Sequence, residues 1–144
     1  MEIVRDSELG IDVVELLGPQ ARVVIPCKSV LPFLVMHIKD LSKFSSVEVA
    51  IVDATRRVRR ISMSSKVSAT RIDADRCTMP LLLDDNAWNY VCLNLSDITH
   101  TAFGVAFSFA KEIIVTSNMV LGRIFFTDKQ YEDAELPVFL RVIP

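Results

Sequence analysis

Apolar and polar positions alternate with a period of two over most of this chain, and turn-forming residues break the pattern at intervals of roughly 8–12 residues. From Ser45 to Val52, Val47, Val49 and Ile51 fall on one side and Ser46, Glu48 and Ala50 on the other. Ile11 to Leu17 and Ala21 to Ile25 are β-branched runs divided by the turn signal Gly18-Pro19. Val30 to Ile38 is apolar almost throughout, as a strand covered on both faces is, and Pro32 places an edge or bulge near its start. Asp53-Ala54-Thr55 turns the chain into a basic strand, Arg56 to Met63, and Ser64 to Asp75 is polar enough for a long surface loop. Cys77 to Leu83 is the next strand. Trp88 to Leu95 carries apolar residues on both parities, which predicts a central sandwich strand after the acidic turn Asp84-Asp85-Asn86-Ala87.

Ser96-Asp97 predicts the cap of a short helix that Gly104 can close. Lys111 to Thr116 and Met119 to Phe126 read as a hairpin across Ser117-Asn118. Thr127-Asp128-Lys129-Gln130 has the capping-box form of a single helical turn ending before Pro137, and Val138 to Ile143 is a closing strand. The sum is about nine or ten strands with one or two short helices, an all-β sandwich or jelly roll over residues 1–144 as a single domain.

Composition changes the picture in one respect. With 144 residues the chain can bury ~70% of its extended surface without disulfides, yet 51% hydrophobic residues and a mean hydropathy of +0.36 are high for a soluble protein. No apolar run approaches the ~20 residues of a membrane helix. Strands covered on both faces account for the excess, and so does a subunit embedded in an assembly. A net charge of −2 gives a bulk field that selects neither nucleic acid nor an anionic membrane. The cysteines (27, 77 and 92) are odd in number and lie beside apolar residues, and the start MEIVRDSELG matches neither a signal nor a transit peptide. Reduced, buried thiols in a cytosolic protein are the expectation.

Candidate chemistry is sparse. Asp84-Asp85 has no further ligands arranged nearby and reads as a turn former rather than a calcium site or an acid–base pair. His37 lies mid-strand and His100 on the short helix, neither with a partner at a telling spacing. Four scattered glycines (10, 18, 104 and 122) cannot make a phosphate loop, and the cysteines lack CxxC spacing. An enzyme is not expected, and neither a metal nor a cofactor is implied. Trp88 and Tyr90 share a parity, as sugar-stacking aromatics on a sandwich face do, but two same-face aromatics on a central strand read better as core anchors buried between the sheets. The strongest polar signal is Arg56-Arg57-Val58-Arg59-Arg60, which alternation divides into Arg57 with Arg59 and Arg56 with Arg60. So basic a strand is expected at a sheet edge, where charge prevents edge-to-edge pairing. It also suits an electrostatic patch for an acidic partner, reinforced by Lys66, Arg71 and Arg76. As exposed charges, Arg57 and Arg59 are expected to tolerate reversal without loss of the fold.

Leu31-Pro32-Phe33-Leu34-Val35-Met36 with Ile38-Lys39, Val58-Arg59-Arg60, and Cys77-Thr78-Met79-Pro80 with Leu83-Asp84-Asp85 are followed by Trp88-Asn89, Asn94-Leu95-Ser96-Asp97, Phe126 with Asp128, Tyr131 and Glu135-Leu136-Pro137. In this order, over roughly residues 11–144, they resemble the cilia- and flagella-associated protein twenty family. The resemblance implies a jelly-roll sandwich similar in shape to carbohydrate-binding modules; Trp88, Tyr90, Pro80, Asp84 and Asp85 are expected to be its structural anchors. It also implies a non-catalytic axonemal subunit of the cytoskeleton that binds alpha/beta-tubulin at the inner junction of doublet microtubules. The parkin co-regulated gene product is an implied neighbour, and Arg56, Arg57, Arg59, Arg60, Lys66 and Arg71 are the candidate contacts. The chain departs from the family where Asn86-Ala87 replaces the glycine before the tryptophan and where His100-Thr101 replaces basic residues. The family's N-terminal segment and C-terminal tail are expected to be reduced or missing, as in a divergent or shortened paralogue.

Overall fold

In the computed structural model, which describes residues 2–18, 20–41, 44–84 and 87–129, the period-two pattern becomes eleven strands and one helix among those residues. The first half runs β1 (Glu2–Asp6), β2 (Ile11–Leu16), β3 (Arg22–Ser29), β4 (Phe33–Asp40), β5 (Ser46–Asp53) and β6 (Val58–Ser64). Then come β7 (Arg71–Ile72), β8 (Arg76–Pro80), β9 (Trp88–Asn94), α1 (Leu95–Phe103), β10 (Phe107–Thr116) and β11 (Met119–Thr127). They form a five-stranded sheet, β1-β2-β11-β4-β9, and a six-stranded sheet, β3-β10-β5-β6-β8-β7. Neighbours are antiparallel except β6 and β8.

The two sheets share one apolar core, as the all-β sandwich reading requires. Leu34, Met36 and Ile38 of β4, Leu93 of β9 and Met119 and Leu121 of β11 cluster with Val47, Val49 and Ile51 of β5, Ile61 of β6 and Ile113 and Val115 of β10. β4 is buried on both faces from Leu34 to Ile38, which accounts for its unbroken apolar run and for part of the high hydropathy. Val35 and His37 have the parity that faces away from the core. The His37 ring lies 5.8 Å from that of Tyr90 and 5.9 Å from that of Phe125.

Two predicted turns prove to be crossings between sheets. β10 belongs to the six-stranded sheet and β11 to the five-stranded one, so Ser117-Asn118 is not a hairpin turn, and β2 and β3 across Gly18 are likewise in different sheets. Alternating runs joined by turn residues look alike in both cases. What distinguishes them here is Asn118, in the left-handed region at φ 56, where Asn is tolerated. Its Oδ1 accepts from the Gly18 N–H at 3.2 Å and its Nδ2 donates to the Phe44 carbonyl at 2.9 Å. The Leu41 N–H donates to the Asn118 carbonyl, and the Ser117 N–H to that of Ala21. Three crossings are thereby tied together at one end of the sandwich.

Other differences are local. β1 and the two-residue β7 were not expected, and β3 continues to Ser29 through Pro26 because, as the end strand of its sheet among the described residues, it needs no inward N–H there. β4 begins only at Phe33, after Pro32, and β8 stops at Pro80 rather than Leu83. β9 has β4 as its one neighbour among the described residues, so it ends its sheet there instead of lying at the centre. The helix cap is Asn94, the last residue of β9, whose Oδ1 accepts from the Asp97 N–H at 3.0 Å; Gly104 closes the helix as expected. Asp85, the capping-box turn completed by Gln130, and the strand from Val138 to Ile143 fall outside the described residues.

Candidate functional site

The basic strand is not an edge. β6 lies between β5 and β8, inside the six-stranded sheet, and the arginines are accommodated there because three carboxylates meet them. The division by parity also fails at its first residue. Arg56 stands in the turn with φ 71, so the alternation begins only at Val58. From that point Arg59 shares the inward parity of Ile61, and Arg60 the outward parity of Ser62.

Arg59, expected as an exposed charge and a candidate contact, is instead buried, 8% exposed, because it is the partner of the buried Asp53. Its Nε donates to Asp53 Oδ2 at 2.9 Å, its Nη1 donates to the Ala74 carbonyl, and the guanidinium lies 5.0 Å from the centre of the Phe103 ring. It therefore joins the end of β5, the segment before β8 and the end of α1. Asp53 Oδ1 also accepts from the Thr55 N–H at 2.8 Å, the Thr55 hydroxyl at 2.5 Å and the Arg57 N–H at 3.1 Å, which shapes the β5–β6 turn. Burial pushes the Asp53 carboxyl up, but the bonds from Thr55, Arg59 and the Arg57 and Thr55 amides outweigh it and hold the group well below the usual carboxylate range.

The other arginines are also engaged. Arg57, half exposed, pairs through Nε with Asp75 Oδ1 at 2.5 Å, which lowers the Asp75 carboxyl pKa. Arg60 Nη1 pairs with Glu48 Oε2 at 2.8 Å, and Arg76 Nη1 with Glu48 Oε1. Burial pushes Glu48 up, yet the hydrogen bonds from Arg76, Ser62 and Arg60 leave it lowered. Four guanidiniums (57, 59, 60 and 76) thus face three carboxylates (48, 53 and 75), a surplus of one charge. Arg56 is exposed with no ion pair among the described residues, Lys66 lies 4.3 Å from the centre of the Phe44 ring, and Arg71 is exposed on β7. The run joins structural charge pairs to a remainder exposed at the surface. Sequence spacing missed Asp53, Glu48 and Asp75 as counter-ions, although Glu48 on the polar parity of β5 is a readable signal.

The expected anchors occupy two places. Trp88 and Tyr90 are not the inter-sheet core anchors expected: they have the parity of β9 opposite to the core residues Val91 and Leu93, so they lie on the outer face of the five-stranded sheet, half buried. Gly122 makes room for the indole: a Cβ there would stand 3.2 Å from Trp88 Cζ3 and 3.3 Å from Leu9 Cδ1. Pro80 ends β8. The Asn89 side chain holds Asp84 on both sides, accepting from its N–H at 2.9 Å and donating to its carbonyl at 3.1 Å. Asp85 is outside the described residues. Cys27, Cys77 and Cys92 are free thiols with pKa values raised chiefly by burial. Among the described residues no three His, Cys, Asp or Glu side chains converge on a metal position, and no helix is long and apolar enough to cross a membrane.

The CFA20 domain family model matches residues 1–143. The chain belongs to the CFA20 domain family. Cilia- and flagella-associated protein 20 of Chlamydomonas reinhardtii is 35% identical over 143 residues, covering 93% of this chain and 75% of that protein. The Paramecium tetraurelia protein of that name is 40% identical over 107 residues, 74% of this chain and 56% of the relative. The Caenorhabditis elegans one is 38% identical over 107 residues, 74% of this chain and 52% of the relative. The chain therefore spans about half the length of the last two.

Proposed function

We propose that this CFA20-domain chain is a non-catalytic structural subunit of the ciliary or flagellar axoneme that binds alpha/beta-tubulin at the inner junction between A- and B-tubules. Its neighbours there include the parkin co-regulated gene product. The observation that carries this reading is the family match over the whole chain, with relatives named for cilia and flagella. The sandwich supports it: strands buried on both faces make a rigid block suited to a lattice position. Tubulin's surface is acidic, and Arg56, Lys66 and Arg71, with the exposed parts of Arg57 and Arg60, are the cations left to meet it. A glycan-binding reading needs Trp88 and Tyr90 open to solvent, whereas they are half buried, Trp88 against Gly122 and Tyr90 beside His37.

Co-sedimentation with polymerised tubulin tests the contact. The chain is expected to pellet with microtubules at low salt and to be released progressively as the Debye length falls from ~10 Å at 0.1 M to ~3 Å at 1 M. Failure to pellet even at the lowest salt would rule out direct tubulin binding by the isolated chain.

A further inference from the structure

We propose that the open face of the six-stranded sheet holds a binding site for a glutamate-rich segment of a partner protein, built from Arg60, Arg71 and Arg76. Arg71 and Arg76 lie five residues apart in sequence, and strand register brings both beside Arg60. Arg60 on β6 lies opposite Arg76 on the parallel strand β8, and Ser62 lies opposite Thr78, which in turn lies opposite Arg71 on β7. The residues between them, Ile61 and Cys77, are buried on the core side, so all three arginines have the other parity and share the outward face.

Two guanidiniums on strands ~4.8 Å apart repel unless an anion lies between them. Glu48 fills that role, 18% exposed, bonded by Arg60, Arg76 and the Ser62 hydroxyl. Both arginines use Nη1 for these bonds and are 39% and 45% exposed, so the remaining donors of each fork are available to a second carboxylate. Arg71 has no ion pair among the described residues. The group carries three positive charges and one negative, on a face lined with the hydroxyls of Ser62 and Thr78. Among the described strands of this sheet Glu112 is the other acid of outward parity, on β10 two strands from β6.

A carboxylate is the complement of such forks, and an extended chain suits the face, because its side chains repeat every ~6.6 Å on one side. Successive glutamates can then reach the Arg60–Arg76 row and Arg71. Glu48 is the internal competitor: it holds the arginines in place and an incoming carboxylate must share them. The inference rests on the proposed reading for the acidity of the partner, and on the sheet register for the place.

The test is fluorescence anisotropy of a labelled deca-glutamate peptide with the whole chain at low salt. Arg76→Gln and Arg71→Gln are each expected to weaken binding by about tenfold, the effect of one charge-assisted contact. Glu48→Gln, with folding checked by its melting curve, is expected to tighten it about threefold, while Glu112→Gln, which changes the net charge equally, leaves it near wild type. Equal tightening by Glu112→Gln, indifference to Arg71→Gln and Arg76→Gln, or equal competition by an oligothymidylate would each overturn the assignment. If peptide binding fails while microtubule pelleting persists, only this site is lost. If pelleting fails while peptide binding persists, the tubulin reading is lost.

Discussion

Arg59→Glu is expected to destabilise the fold by about 3–5 kcal/mol, the cost of breaking a buried ion pair. The change removes the partner of Asp53, a fully buried carboxylate, and puts a second negative charge beside it. It also removes the bond to the Ala74 carbonyl and the cation over the Phe103 ring, so the segment before β8 and the end of α1 loosen together. Arg57→Glu, two residues earlier on an exposed side chain, is expected to leave the denaturation midpoint nearly unchanged. A folded Arg59→Glu protein with a wild-type midpoint would return the run to a solvated strand. The same pair shapes the acid limb. Because the Asp53 carboxyl is lowered in the folded state, its contribution is complete above the unfolded value near ~3.9 and is lost as pH falls through the folded one. Asp53→Asn is therefore expected to be less stable at neutral pH and to show a shallower loss of stability below about pH 4.

Ile51→Ala is expected to cost about 2–5 kcal/mol. Ile51 is fully buried at the middle of the six-stranded sheet, on β5 between β10 and β6, and packs into the shared core. Truncation leaves a cavity that neighbours on three strands cannot close without breaking register. Val24→Ala on β3, at 45% exposure, is the comparison and is expected to shift the midpoint little. Urea midpoints with unchanged slopes would show the difference as stability alone. Equal shifts for the two would mean that Ile51 does not lie where the two sheets meet.

The fold class was legible because the core side chains repeat with a period of two: Val47, Val49 and Ile51 read directly as the buried row of β5. The unbroken run around Val35 and His37 likewise announced a strand covered on both faces. Connectivity was less legible. Ser117-Asn118 carries the signature of a hairpin, and only the bonds of Asn118 to Gly18, Phe44 and Leu41 show it to be a crossing between sheets. Parity separated Arg59 from Arg60 without telling which of them faced the core, and Arg59, expected among the exposed charges, is the buried one. It could not place Arg56 either, whose positive φ removes it from the strand. Nor could it foresee that Asp53 and Glu48, each on the preceding strand, neutralise a run that looks too basic for a sheet interior. Arg71 and Arg76 were legible as reinforcements of the basic run, but their alignment with Arg60 on one face was not, because it exists only once β8 pairs in parallel with β6.

The axonemal role is tested most directly by averaging electron tomograms of intact axonemes whose copy of this chain carries a bulky tag. Extra density is expected beside the seam where A- and B-tubules meet, repeating along the doublet, and lost when the chain is deleted. Doublets without added density at that seam, with the tag recovered elsewhere in the cell, would contradict the inner-junction assignment.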